Sequence, residues 1–558
     1  MLKGLAPEPP RIDRKLTVKG HLLKSASVIA FVTVISRICG YLRDQRVALL
    51  LGTSPAADSL VLVFGIPNVI RRISGDGALG AAFIPVFTGY LKDKPRSEAW
   101  DLAQKVFWDI AVVLGALGVV GVVFSRQLVH VYALLSSNPA QWELAVFLNR
   151  IVIPAMFFMA LAGIAAAILH SFRIFALPAA TPIFFNLVMI LFSIGIIYRP
   201  VMRMAPKQFQ TPAVAIALAF FLGGIVQFAM QIPAVARLGM QFRPKISFSD
   251  PGVQRVGQLM GPSVLGVGIY QINFFVDKIF YMSSRLPSGS VMSGYVAERI
   301  MQLALGIFAV AMSTATLPTM SQQAAAKEFG EMKRTFGFSL RIVSFIAIPA
   351  AVGLILLRQP IVQVLFQHGK FVAESTALTA RALFYYALGL PAFAAIKLIT
   401  PMYYSMHDTM TPAKVGAYAL ALNILFNSLF LIFFLKYLSN GSPALASSLA
   451  AYFNFVLLFA IFRKRHGRLG ARGLAASLSK MGACAAAMAL VCYGALRFTH
   501  FAGVNAFLGQ AALLAGIIAV SGGIYFGLAW LLRCEELREF FLLLRRAERV
   551  VPVGVMGV

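Results

Sequence analysis

Val34-Ile35-Ser36-Arg37-Ile38-Cys39-Gly40-Tyr41-Leu42-Arg43-Asp44-Gln45-Arg46 lies inside an apolar segment, residues 24–51, long enough to cross a bilayer. Three arginines and an aspartate stand where such a helix should present only apolar side chains. The next apolar segment adds Asp58 and the pair Arg71-Arg72. Each such charge costs about 2.5–3.5 kcal/mol at the centre of a lone spanning helix, so a chain keeps it only where it faces a bundle interior or a wet cavity. Clusters on two consecutive helices predict a cationic chamber within the membrane. A chamber of that sign binds anions.

The remainder of the chain is built for lipid. Of its 558 residues, 59% are hydrophobic and 13% charged, against about 45–50% and about 25% in soluble domains. Mean hydropathy is +0.79. The net charge of +29 would point to nucleic acid in a soluble protein. Here the basic residues are spread singly through short loops, a pattern that topology and contact with anionic headgroups explain; no nucleic-acid partner is expected. The four cysteines show no metal or disulfide spacing. The first twenty residues have no apolar run and read as a basic cytosolic tail, not a signal peptide.

Stretches of spanning length fall at roughly 24–51, 55–91, 99–125, 143–170, 178–198, 212–236, 257–283, 290–322, 336–357, 376–405, 412–436, 443–462, 473–496 and 506–532. The reading is an all-α integral membrane protein of about fourteen helices. Its parts are a basic tail (1–23), a first lobe (24–240), a second lobe (241–470), two extra helices (471–533) and an amphipathic tail (534–558). Lys and Arg are enriched in alternate loops, which places both termini in the cytoplasm; Arg199, Arg203 and Lys207 run against that bias.

An internal repeat recurs at an offset of 232–234 residues. Ser125-Arg126-Gln127 returns as Leu357-Arg358-Gln359, Phe83-Ile84-Pro85 as Thr316-Leu317-Pro318, and Ser171 with Pro178 as Ser405 with Pro412; Asp44 falls opposite Asp277. Six helices per unit is an even number, so the two lobes share one orientation and face each other across an axis along the membrane normal.

At 100° per residue, Thr33, Ser36, Arg37, Gly40, Arg43 and Asp44 fall within an arc of roughly 120°. Tyr295, Glu298, Arg299, Gln302 and Gly306 likewise share one face of the segment that follows residue 290. Arg46 suits snorkelling from a helix end; Arg37 does not. Pro67, Gly75 and Gly77 flank Arg71, Arg72 and Asp76, breakers beside charges that indicate an unwound stretch lining a cavity. Guanidinium binds phosphate bidentately and stays protonated, so Arg37, Arg43, Arg71 and Arg299 together could neutralise a pyrophosphate. Asp277 with Asn423 and Asn427 offers the oxygen ligands of a sodium site, although interhelical hydrogen bonding explains the same residues. No nucleophile–base pair stands out in the sequence, and no enzyme is expected.

These residues resemble a known family. Ser36–Asp44, Ala57-Asp58 and Pro67-Asn68-Val69-Ile70-Arg71-Arg72-Ile73-Ser74-Gly75-Asp76-Gly77-Ala78 resemble the N-terminal signature of the bacterial lipid II flippases, the MurJ or MviN family. Phe366-Gln367-His368-Gly369-Lys370-Phe371 and Tyr404-Ser405-Met406-His407-Asp408-Thr409-Met410-Thr411-Pro412 are similar to two later family motifs. The resemblance implies the fold of the multidrug/oligosaccharidyl-lipid/polysaccharide exporter superfamily, with two six-helix lobes around a central cationic cavity and two extra helices that cradle a polyprenyl tail. It implies transfer of lipid II, the lipid-linked peptidoglycan precursor, from the cytoplasmic to the periplasmic leaflet of the bacterial inner membrane by alternating access. Membrane lipids and the cell-wall synthesis machinery are then the expected partners. Substrate-binding roles carry over to Arg37, Arg43, Asp44, Asp58, Arg71 and Arg299. No cofactor is expected; membrane potential, sodium or protons would drive the cycle. The alternatives are an exporter of another polyprenyl-linked saccharide and a cation-coupled multidrug antiporter.

Overall fold

The computed structural model describes residues 14–65, 67–69, 78–132, 134–136, 138–467, 471–499, 501, 507–540 and 542. Its first lobe comprises α1 (Arg14–Leu51), α2 (Pro55–Val63), α3 (Ala78–Asp93), α4 (Arg96–Val123), α5 (Pro139–Val152), α6 (Ala155–Ser171), α7 (Ala176–Leu191), α8 (Gly195–Met204) and α9 (Pro212–Ala229). The second holds α10 (Pro251–Tyr281), α11 (Ser290–Ala325), α12 (Phe329–Phe366), α13 (Ala373–Ser405), α14 (Met410–Phe433) and α15 (Ser442–His466). Last come α16 (Ala471–Phe498) and α17 (Phe507–Leu531). The described residues contain no strand.

Local chemistry sets the helix starts. Ser54-Pro55, Asn138-Pro139, Thr211-Pro212 and Asp250-Pro251 each pair a capping side chain with a proline in the first turn. The cap satisfies a backbone N–H that has no partner within the helix, and the proline lacks the N–H that would otherwise go unmet. The Tyr404–Pro412 motif is likewise a helix start. Asp408 accepts from the Thr411 N–H at 2.9 Å and its hydroxyl at 2.6 Å, and Arg465 closes on the same carboxylate at 2.8 Å.

Among the described residues, nine helices are long and apolar enough to span a membrane, and α7 and α8 reach that length and apolarity only as a pair bent by 75°. Helices α1, α10 and α11, of 38, 31 and 36 residues, also have spanning length, and they carry Arg37, Arg43, Asp44, Asp277, Glu298 and Arg299. Apolar side chains such as Val119, Val123, Leu490 and Trp530 are exposed on the outside of the bundle, as lipid-facing residues should be.

The repeat is visible in the helix order. The starts of α2, α4, α5, α7 and α9 recur as those of α11, α12, α13, α14 and α15 at offsets of 230–235 residues. Within the first lobe α1 packs on α7, α2 on α5, and α6 on α3, α4 and α9; within the second, α13 packs on α11, α12 and α15. The lobes meet where α3 touches α10 and α2 touches α11. Helices α16 and α17 pair with each other and lie on α12, where the Tyr525 hydroxyl donates to the Phe345 carbonyl at 2.8 Å.

Candidate substrate site

Helices α1 and α11 present their polar faces to each other, as the 100° spacing predicts. Arg43 donates through Nε and Nη2 to one oxygen of Asp44, at 3.0 and 2.7 Å, and through Nη1 to Asn186 Oδ1 of α7 at 3.0 Å. The Tyr295 hydroxyl donates to the same Asp44 oxygen at 2.9 Å. The other Asp44 oxygen lies 3.4 Å from Arg299 Nε, an ion-pair distance without the alignment of a hydrogen bond. The Arg299 guanidinium stacks 5.0 Å from the Tyr295 ring centroid. One buried carboxylate thus holds two arginines from opposite lobes.

Arg37 lies two turns from Arg43 on α1 and is exposed. Its guanidinium sits over Gly306 of α11, so close that a Cβ there would come within 2.5 Å of Nη1. Glycine makes room for the cation. Glu298 turns to its own helix and accepts from Gln302 Nε2. Arg46 reaches Ser193, at the bend between α7 and α8, through bonds of 3.1 and 3.2 Å, in keeping with its reading as a residue of a helix end. Arg71 lies outside the described residues.

Asp58 makes contacts of another kind. The sequence grouped it with the cavity residues, but its described partners are the backbone N–H groups of Gly289 and Met292, each at 2.8 Å. It therefore caps the N-terminus of α11 from the opposite lobe, where a carboxylate meets free donors and the positive end of the helix dipole. Around it further hydrogen bonds tie the lobes together. Lys370 N–H donates to the Leu49 carbonyl at 2.9 Å, Gln45 to the Leu365 carbonyl at 2.9 Å, and the Thr53 and Ser375 hydroxyls lie 2.7 Å apart. Gly289 has φ +84°, and a Cβ there would meet the Thr53 carbonyl oxygen at 2.2 Å. At the opposite end, Lys105 pairs with Asp101 and Asp250 at 2.6 and 2.8 Å, and Lys245 with Asp101 at 2.5 Å. Against the loop carboxylate of Asp250 burial acts upward, but Lys105 and the N–H groups of Gly252 and Val253 outweigh it and hold the group below the usual range.

Asp277, Asn423 and Asn427 do come together, and Ser447 joins them, all four buried. Asn423 and Asn427 donate to one Asp277 oxygen at 3.1 and 3.4 Å, and the Ser447 hydroxyl donates to the other. The Asn427 Oδ1 is buried without a donor, an oxygen suited to a hard cation. No group of three His, Cys, Asp or Glu side chains gathers among the described residues.

The residues that sequence reasoning missed are Asn186 and Ser447. Each is a single uncharged polar residue on an apolar helix, a weak signal by itself.

Comparison with known proteins fits this architecture. A family model described as lipid II flippase MurJ matches residues 47–512. A Vibrio cholerae protein named "Probable lipid II flippase MurJ" is 33% identical over 453 residues, covering 80% of this chain and 83% of its own. The "Lipid II flippase MurJ" of Burkholderia cenocepacia is 28% identical, covering 92% of this chain and 98% of its own. Among solved structures, a lipid II flippase MurJ in an inward closed conformation superimposes with a TM-score of 0.70 at 24% identity, over 89% of this chain and 98% of the other. An inward-facing multidrug transporter of the MATE family shares the fold, with a TM-score of 0.64 at 14% identity over 80% of this chain and 98% of the other.

Proposed function

The chain belongs to the lipid II flippase MurJ family, and from that premise we propose how its residues move lipid II between leaflets. It is a multi-pass inner-membrane transporter, not an enzyme. With both termini cytoplasmic, as the loop charges favour, the end closed around Asp58 faces the periplasm. The pyrophosphate enters between the lobes and meets Arg37, Arg43 and Arg299. These guanidiniums outnumber the carboxylates Asp44 and Glu298 that share the site, and the family resemblance adds Arg71 to the same set. A pyrophosphate that takes the Arg43 and Arg299 donors competes with Asp44 for them, so binding loosens a contact that ties the lobes together. Differential affinity of that kind is what a ligand needs to shift a two-state equilibrium. The polyprenyl tail stays in lipid beside α16 and α17.

The observation that carries this reading is the Arg43–Asp44–Tyr295–Arg299 cluster, in which anion sites on both lobes converge on one carboxylate.

Two drives fit the residues. Moving one elementary charge through the membrane potential is worth about 2.3 kcal/mol per 100 mV, so a net cationic cavity could be drawn back toward the negative cytoplasm once emptied. Sodium is the competing drive. The residues that would hold it are Asp277, Asn423, Asn427 and Ser447, where it would supply a positive charge between α10, α14 and α15. Potential is the preferred drive, because the Asp277 cluster also reads as helix packing.

The test is depletion in the native host. Loss of the chain should leave lipid II in the inner leaflet, protected from an external lipid II-degrading toxin, and the wild-type chain should restore cleavage. Cleavage that persists after depletion would argue for another substrate.

A further inference from the structure

A second cationic recess lies at the C-terminal end of α12, apart from the interlobe site. Arg358, Ala377, Arg381, Phe384, Tyr385 and Tyr437 line a cavity of about 350 Å³. No carboxylate lines it, and neither arginine has an acidic partner among the described residues. Arg358 lies over the Phe384 ring, 5.2 Å from its centroid, and gives one Nη1 bond to the Ile355 carbonyl. Among the described residues no other acceptor takes its remaining donors.

The internal repeat supplies a control. Arg358 is the counterpart of Arg126 in the first lobe, and Arg126 is paired with Glu143 at 2.8 Å. A shift of 232–234 residues carries Glu143 onto Ser375, Thr376 or Ala377, and Ala377 lines the recess. The arginine recurs in the second lobe; its acid does not. Exposed Phe433, Phe434 and Tyr437 surround this end of the lobe, the residue types that mark the membrane–water interface.

We propose that this recess binds the phosphate of a lipid headgroup in the leaflet at the end of the bundle where α1 terminates. Two guanidiniums take the phosphate oxygens by charge-assisted bonds, and the ring faces border the chain below. Either an anionic phospholipid or a polyprenyl phosphate supplies that chemistry. The proposal does not depend on the lipid II reading.

The purified full chain, exchanged into detergent, is mixed with phosphatidylglycerol, undecaprenyl phosphate or phosphatidylcholine, and bound lipid is counted by native mass spectrometry. At least one of the two net-anionic lipids should bind about tenfold better than zwitterionic phosphatidylcholine, whose choline cation competes with the arginines for its own phosphate. Preference for phosphatidylglycerol identifies the phospholipid as the source; preference for undecaprenyl phosphate identifies the carrier. Ala377→Glu, which restores the first lobe's acid and leaves both arginines in place, should remove the preference, as should the double change Arg358→Gln/Arg381→Gln. Arg126→Gln should keep it; the comparison is made in a chain carrying Arg37→Ala/Arg43→Ala/Arg299→Ala, so that the interlobe arginines do not supply the preference. Equal binding of the three lipids by the wild type, a preference that survives Ala377→Glu, or one lost equally in Arg126→Gln would overturn the proposal.

Discussion

Asp58→Asn should open the end of the bundle that Asp58 now closes. Both carboxylate oxygens accept backbone N–H groups at the start of α11, each at 2.8 Å, and the side chain is buried. Asparagine keeps one accepting oxygen and turns an N–H toward the other donor. The lost charge–dipole attraction is worth up to about 2 kcal/mol, and the donor left unmet about 1–3 kcal/mol. Taking about 2–4 kcal/mol from the closed form alone shifts the open-to-closed ratio by about 30- to 1,000-fold. The remaining lobe contacts, Thr53 to Ser375 and Lys370 to Leu49, resist that shift without changing its sign. Nitroxide labels at Asn138 and Tyr437, exposed positions at this end on opposite lobes, would report it by double electron–electron resonance in a chain free of native cysteines. The parent should give one short distance, and Asp58→Asn a longer population that dominates. Superimposable distance distributions would refute the role assigned to the cap.

Three further outcomes follow from the same geometry. Arg43→Lys and Arg299→Lys should each lower complementation at least about tenfold at normal membrane levels, because lysine brings charge without the planar fork; full activity of both would remove the phosphate clamp. Gly306→Ala should leave thermal stability unchanged, since the Cβ meets only the flexible end of Arg37, while lipid II affinity, measured with purified protein, falls about tenfold with one charged contact displaced. In vesicles, turnover should continue without sodium while a potential is held, and should stop when an ionophore collapses it; a sodium requirement at constant potential, abolished in Asp277→Asn, would transfer the drive to the Asp277 cluster.

The arginines were legible in the sequence because membrane-embedded charge is costly and helical periodicity is regular. Arg37 and Arg43 share a stripe on α1, Arg299 and Gly306 share one on α11, and the structure turns both stripes toward the same space. The repeat was legible too, and helix starts recur at the offset the sequence motifs show. The contacts of Asp58 were not legible, for a physical reason. Its partners are main-chain donors more than 230 residues away, and backbone N–H groups leave no mark in a sequence. Asn186 and Ser447 were missed because one amide or hydroxyl on an apolar helix is the ordinary currency of helix packing; only the fold shows that each meets a charged partner.

The account stands on the claim that Arg37, Arg43 and Arg299 hold the pyrophosphate during transfer. The direct measurement is translocation of fluorescent lipid II in reconstituted vesicles held at a membrane potential, comparing the wild type with the triple change Arg37→Ala/Arg43→Ala/Arg299→Ala at matched protein content. The wild type should render the label accessible to an added quencher from the far leaflet, and the triple variant should match empty vesicles. Equal translocation by the two proteins would contradict the claim.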